Sequence, residues 1–282
     1  MACPYPKLPI LTKKTPLPKK ATAKQFSIQP WVSTQDGEKV ILYGKYKLGK
    51  STLSLLLPNP AFIGIDDGAR KLRHPVTGEP PNYVQGIEGF GDVRDVLHSD
   101  IFDNSKTIVI DTITELQNWA LPYMFKTIKA ENKQTVTNIE GYGYGKGYRH
   151  LYDTMRFILA DCDRHIRAGR NVVLLAQNGI IQQTNVAGEN YAVEGPDLYQ
   201  SDKVPIRGTY LAWADHVLKL GYAGLAAKDG KVNTVKQRAI YVHSDATFEA
   251  GSRTIPAEYD VVEFTKPSDD SIWRLLFGGN NG

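Results

Sequence analysis

The segment Gly44-Lys45-Tyr46-Lys47-Leu48-Gly49-Lys50-Ser51 satisfies the pattern G-x-x-x-x-G-K-[ST] at every specified position, and Thr52 follows it. Each specified residue meets a need of triphosphate binding. Glycine lets the backbone curl so that successive N–H groups point inward at phosphate oxygens. A helix that starts at the end of the loop turns its positive end towards the same charges. Lys50 is placed to reach the β- and γ-phosphates, and the Ser51 hydroxyl to ligate Mg²⁺. Residues 44–52 are therefore expected to hold a magnesium nucleoside triphosphate. The competing reading, a glycine-rich turn with an incidental lysine, does not account for the apolar run before the loop and the helix-forming run after it.

Three other positions complete the candidate chemistry. Asp111 closes the apolar run Thr107–Ile110, sixty residues after Ser51, as a Walker B aspartate would, and is expected to hold the magnesium directly or through water. Asp66 and Asp67 end the run Ala61–Ile65, where either carboxylate is a candidate for polarising the attacking water. Gln177 and Asn178 end the run Val172–Ala176, and either amide is a candidate sensor of the γ-phosphate. The residues alone do not choose within either pair. An aspartate at a strand tip also serves as a helix cap, and a buried amide also satisfies a turn.

The elements that must position these groups alternate. Short apolar runs at 39–43, 61–65, 107–110 and 172–176 read as buried parallel strands. Between them, residues 50–57, 91–98 and 115–131 suit helices, and from Arg149 to Ala168 apolar residues recur every three or four positions. That alternation predicts an α/β fold with a mostly parallel central sheet flanked by helices. The last third changes character, and the runs 216–222, 239–242 and 259–264 are expected to add C-terminal antiparallel strands.

Composition bounds the rest. The chain has 282 residues, 41 % hydrophobic, with a net charge of +4 and two cysteines, too few for a disulfide framework or a four-cysteine zinc site. No apolar run reaches the roughly 18 residues a membrane helix needs, and the N-terminus lacks the features of a signal peptide, so a cytoplasmic setting is expected. Residues 1–25 carry Lys7, Lys13, Lys14, Lys19, Lys20 and Lys24 among prolines with no acidic residue. This segment is expected to be an extended basic arm preceding a single domain over 26–282, and either touches a phosphate backbone or a neighbouring subunit or is simply solvated.

The phrases ILYGKYKLGKSTL, LPNPAFIGIDDGARKL, IVIDTITELQ, GYGKGYRHL and VVLLAQ, within residues 40–178, resemble the RecA core. More narrowly, they are similar to the small phage-encoded RecA-like nucleotide-binding proteins, some of which are single-strand annealing proteins. The resemblance implies ATP as the nucleotide, Mg²⁺, assembly into a ring or filament, single-stranded DNA as the partner, and association with a single-strand-binding protein. It implies a catalytic role for Lys50, Asp66 or Asp67, and Gln177. It also places DNA contacts in two loops, one at about 132–149 with Tyr142, Tyr144, Lys146 and Arg149, and one at about 178–210 with Lys203 and Arg207. Aromatic residues beside cations on loops suit single strands, because bases stack while cations meet phosphates. Arg238 or Arg253 is implied as a finger lent to the ATP site of a neighbouring subunit. At the second strand tip the RecA pattern has a glutamate, where this chain reads Asp66-Asp67-Gly68, which implies slow turnover.

The leading expectation is thus an ATP-dependent recombination or annealing protein acting on single-stranded DNA. A non-hydrolysing filament stabilised by ATP is a second reading. A replication-accessory P-loop ATPase or a small-molecule kinase is a third, although no dense arginine cluster accompanies the loop.

Overall fold

The computed structural model describes residues 36–184, 187–223, 225–228, 231–234 and 237–278, with only the backbone described for 225–228 and 231–234. The lysine-rich segment 1–25 lies outside the described residues.

In chain order the elements are β1 (Lys39–Gly44), α1 (Lys50–Ser54), β2 (Pro60–Gly64), β3 (Asn82–Tyr83), α2 (Phe90–His98), β4 (Thr107–Asp111), α3 (Ile113–Thr127), α4 (Lys146–Arg167), β5 (Asn171–Thr184) and β6 (Asn190–Pro196). They continue with α5 (Ile206–Trp213), β7 (His216–Tyr222), β8 (Leu225–Lys228), β9 (Lys231–Thr234), β10 (Arg238–Tyr241), β11 (Gly251–Ser252), β12 (Val261–Phe264) and α6 (Ser271–Phe277). The main sheet runs β12-β10-β7-β1-β5-β4-β2-β3, with β11 on β7 and β6 on β5, and β8 and β9 form a separate hairpin.

The central strands β2, β4, β5, β1 and β7 are mutually parallel, and β10, β11 and β12 are antiparallel additions. Strands buried on both faces need apolar residues in both registers, and β1 and β5 meet that need. Ile41 and Tyr43 join one core with Leu174, Ala176, α2, α3, α4 and α5. Val40 and Leu42 join the other with Val173, Leu175, α1 and α6. The indole Nε1–H of Trp273 donates to the Leu53 carbonyl at 2.8 Å, which ties α6 to α1 behind the loop.

Besides helix ends, which fall at Ser54 and Thr127 rather than 57 and 131, three features near the assigned residues differ from the expectation from sequence. The run 216–222 pairs with β1 in parallel rather than joining the antiparallel additions, because the chain returns through α5 to the lower end of the sheet before entering it. The segment 178–210 is not one long loop. β5 continues to Thr184, turns back as β6, and is followed by α5. Beyond Ala176 β5 is no longer buried, and from Gly179 half-buried residues alternate with exposed ones, so the apolar signal ends while the backbone pairing carries on. Finally, α4 begins at Lys146, three residues before the apolar periodicity does, behind an N-terminal Gly145 with φ of 71°.

Candidate nucleotide-binding site

Parallel pairing brings the strand tips into line. Gly44 at the end of β1 is level with Gln177, and Asp111 is level with both Leu175 and Gly64. The chain leaves β1 at Gly44, where a Cβ would lie 2.6 Å from the Leu220 carbonyl of β7, so only glycine permits the strand to turn there. The loop then curls through two left-handed positions, Lys47 at φ 61° and Gly49 at φ 107°. Lys45, Tyr46 and Lys47 are exposed on its outside, Leu48 is buried, and α1 starts at Lys50 with no side chain capping its N–H groups. Thr52 is half-buried in that first turn.

Lys50 is buried, and its ammonium donates to the Gly44 carbonyl at 2.8 Å, the Lys45 carbonyl at 3.1 Å and Gln177 Oε1 at 3.0 Å. Burial pushes its pKa down to about 8, while the charges of Asp111 and Asp66 oppose the shift. The Ser51 hydroxyl donates to Asp111 Oδ2 at 2.5 Å. Burial pushes the Asp111 carboxyl up to about 6, the Ser51 hydrogen bond and Lys50 lower it, and Asp66 raises it further. Asp66 therefore sits close enough for its charge to be felt by both groups. Its own Oδ1 accepts the Gly68 N–H at 3.1 Å. Asp67 opens a short 3₁₀ turn to Lys71, and its side chain lies outside the described residues.

The two amides at the tip of β5 separate, as alternate residues of a strand must. Gln177 reaches Lys50, and its backbone N–H is held by Thr114 Oγ1 of α3 at 3.0 Å. Asn178 lines a cavity of about 290 Å³ with Lys45, Leu48, Glu194, Lys219 and Tyr222.

The donor set fits Mg²⁺ with a polyphosphate. A hydroxyl and a carboxylate meeting at one point are hard oxygen ligands, and magnesium takes few of these from protein, filling its octahedron with water and phosphate oxygens. Among the described residues no group of three or more histidine, cysteine or acidic side chains forms a self-sufficient metal cage. A dication beside Asp111 would also discharge the carboxylate that burial penalises. When bound, the metal supplies neutralisation of phosphate charge. The chain supplies the curled backbone, the buried Lys50 ammonium and the fixed Gln177 amide.

The residues assigned to DNA contact are dispersed. Tyr144 is fully exposed, held at φ 50° between Gly143 and Gly145, both also in the left-handed region. Lys146 starts α4 and pairs with Glu131, and Arg149 is exposed at 3.6 Å from Asp153. Two of the assigned residues are withdrawn from solvent. Tyr142 is buried, its single hydroxyl proton shared between the Met124 and Ile128 carbonyls at 3.1 and 3.0 Å, because it anchors the loop to the end of α3. Arg207 is 2 % exposed on α5, where its Nε donates to Glu249 Oε2 at 2.7 Å beneath Gly195 of β6. It clamps the β5–β6 hairpin and offers no cation to a strand. Lys203 remains exposed.

The arginines assigned to a neighbour's site part company. Arg253 pairs with Asp215 at 2.9 Å and with the Ala212 carbonyl, at the start of β7, the end of the sheet away from Gly44. Arg238, the first residue of β10, donates from Nη1 to the Leu48 carbonyl of its own loop at 3.2 Å. Neither the cis position of Arg238 nor the support from Thr114 is readable from the sequence, because both depend on strand order rather than spacing.

A curled glycine loop between a parallel strand and a helix, a lysine bridged to a glutamine on the adjacent strand, and a serine bound to the aspartate one strand further on define a P-loop nucleotide-binding protein of RecA-like α/β architecture. A family model described as an AAA domain matches residues 36–254, and the chain belongs to that family. No curated protein matches it. Among solved structures, a KaiC-like protein from Pyrococcus horikoshii OT3 aligns over 82 % of this chain and 91 % of its own, at 13 % identity and a TM-score of 0.41. The flagellar accessory protein FlaH from Methanocaldococcus jannaschii aligns over 82 % and 85 %, at 11 % identity and a TM-score of 0.39. No helix among the described residues is long and apolar enough to cross a membrane.

Proposed function

We propose that this protein is a RecA-like ATPase that binds Mg–ATP and acts, as an oligomer, on single-stranded DNA in recombination or strand annealing of the kind phages encode. The observation that carries the nucleotide reading is the pairing of Lys50 and Ser51, adjacent at the end of the loop, with Gln177 at the tip of β5 and Asp111 at the tip of the neighbouring β4. In this reading Lys50 neutralises the β- and γ-phosphates, Ser51 and Asp111 hold magnesium, and Gln177 reports the γ-phosphate through its bond to Lys50.

Asp66 or Asp67, just beyond the tip of β2, is the candidate for orienting the attacking water, and the charge of Asp66 is felt at both Lys50 and Asp111. An aspartate is one methylene shorter than glutamate, so turnover is expected to be slow. That same feature favours the second reading, in which ATP mainly stabilises assembly.

Support for a nucleic-acid partner comes from the surface around the start of α4. Tyr144 stands in solvent beside Lys146, Arg149 and Arg156 flank the ring of Tyr152 at 5.1 and 5.5 Å, and Tyr148 stacks on Tyr199 at 4.9 Å. Lys129, Lys146, Arg149 and His150 line a cavity of about 240 Å³ together with Tyr142 and with Glu131, which pairs with Lys146. Tyr144 is exposed whereas Tyr148, Tyr152 and Tyr199 are half-buried, and a cation beside an exposed ring suits a strand whose bases are unpaired.

The test is ATP turnover with and without single-stranded DNA, followed by particle size. Stimulation by DNA together with ring or filament formation is expected. Assembly without turnover supports the second reading, and turnover that ignores DNA but needs a small acceptor sinks both.

A further inference from the structure

We infer that Arg238 is a positioning residue that acts in cis, setting the phosphate loop of its own chain, and not a finger lent to a neighbouring subunit. The inference rests on the nucleotide reading above and assigns a function that the loop motif does not contain. β10 lies two strands from β1, with β7 between them, so a side chain must span roughly 10 Å of sheet to touch the loop. Arg238 is at the correct end to do so. β10 is antiparallel to β7 and begins level with Tyr222, two residues beyond Leu220, the partner of Gly44.

Two contacts and one steric fit place the guanidinium there. Its Nη1 donates to the Leu48 carbonyl at 3.2 Å. Its centre lies 4.9 Å from the ring of Phe264, the residue paired with it across β12. A Cβ on Gly49 would come within 2.5 Å of Nη1, so the arginine occupies the space that any side chain at 49 would need.

The consequence follows from peptide geometry. In a planar trans peptide the C=O and N–H point in opposite directions. A Leu48 carbonyl held towards Arg238 turns the Gly49 N–H away from it, and in this inference that N–H is one of those offered to a phosphate oxygen. Without the arginine the peptide between 48 and 49 loses its external anchor, at a glycine whose φ of 107° leaves it free to flip. Arg238 also adds a positive charge beside the loop, from the β7–β10 side of β1, whereas Gln177 reaches Lys50 from the β5 side.

The test measures binding of Mg–ATP and of magnesium tripolyphosphate to the full chain by calorimetry. R238A is expected to weaken both ligands about tenfold, the worth of one charge-assisted hydrogen bond. R238K, which keeps a cation able to donate to the carbonyl, is expected to recover part of that loss and guards against a variant that merely fails to fold. An equimolar mixture of K50A and R238A chains supplies the cis–trans distinction. If Arg238 served a neighbour, an intact loop and an intact arginine would meet at subunit boundaries in the mixture and binding would return. No recovery is expected.

Recovery in the mixture overturns the inference, as does unchanged affinity in R238A, or a loss for ATP that spares tripolyphosphate. Failure of the unaltered chain to bind either ligand overturns the nucleotide reading instead.

Discussion

The loop end of the sheet and the surface around the start of α4 were both assigned from residue types, yet the structure treats them differently. At the loop end the assigned groups lie within hydrogen-bonding distance of one another: Lys50 with Gln177, Ser51 with Asp111. On the α4 side and on α5 the assigned residues divide, with Tyr144 and Arg149 in solvent while Tyr142 and Arg207 are buried. The difference lies in what each assignment rested on. A spaced motif constrains backbone geometry directly, whereas a mixture of aromatic and basic residues constrains only composition. Burial then decides which of those residues a partner meets.

The sharpest separation of the two regions comes from K50A. Removing the buried ammonium is expected to cost Mg–ATP binding on the order of 4 kcal/mol, roughly a thousandfold, because several charge-assisted bonds go with it. Affinity for single-stranded DNA measured without nucleotide should hardly move. Equal losses of both would mean that the regions are not independent.

R207A is next. If the guanidinium is a clamp for the hairpin, its loss leaves Glu249 unpaired and costs on the order of 3 kcal/mol of stability by denaturant melting. A variant that melts like the parent but binds DNA less well would return Arg207 to the DNA surface.

D111N tests the electrostatics of the loop end. The Asp111 pKa is raised to about 6 by burial, so the folded chain holds this proton more tightly than the unfolded chain. Its contribution to stability is present in full below the ordinary carboxylate range and is lost as pH rises through about 6. Lys50 runs the other way: with a pKa lowered to about 8, its contribution is full above the ordinary lysine range and lost as pH falls through about 8. Near neutral pH the nucleotide-free chain carries both charges at a cost. D111N is expected to raise its stability at pH 8 by roughly 1–3 kcal/mol, and to abolish magnesium-dependent ATP binding. A lower melting temperature would identify Asp111 as a structural cap.

The smallest effects belong to the α4 surface. Y144A is expected to weaken single-strand binding by about 1–3 kcal/mol, the worth of one stacked base. K146A with R149A should flatten the dependence of log affinity on log salt by about 1.4, two phosphate contacts at roughly 0.7 each. Unchanged slopes would leave Tyr144 without a phosphate-binding neighbourhood.

The boundaries of the fold follow the same division. β1, β2 and β4 were legible to within a residue because doubly buried strands are continuously apolar. The extension of β5 past Ala176 was not, since Gln182, Gln183 and Thr184 are as polar as any loop. Its pairing with β6 is set by backbone hydrogen bonds, which leave no mark on composition. Nor was the start of α4 legible, because Lys146 and Gly147 lie before its first apolar repeat.

By itself the sequence determined the phosphate loop, the aspartate opposite it and the alternation that makes a parallel sheet. Those features are local: the motif spans eight residues, and each buried strand carries its own apolar signature. Only the tertiary structure decided that Gln177 rather than Asn178 faces Lys50, that Arg207 is a buried clamp and that Arg238 leans on its own loop. Those outcomes depend on strand order and on which side of the pleat a residue falls. Both are set by contacts between segments tens to hundreds of residues apart, about which spacing along the chain carries no information.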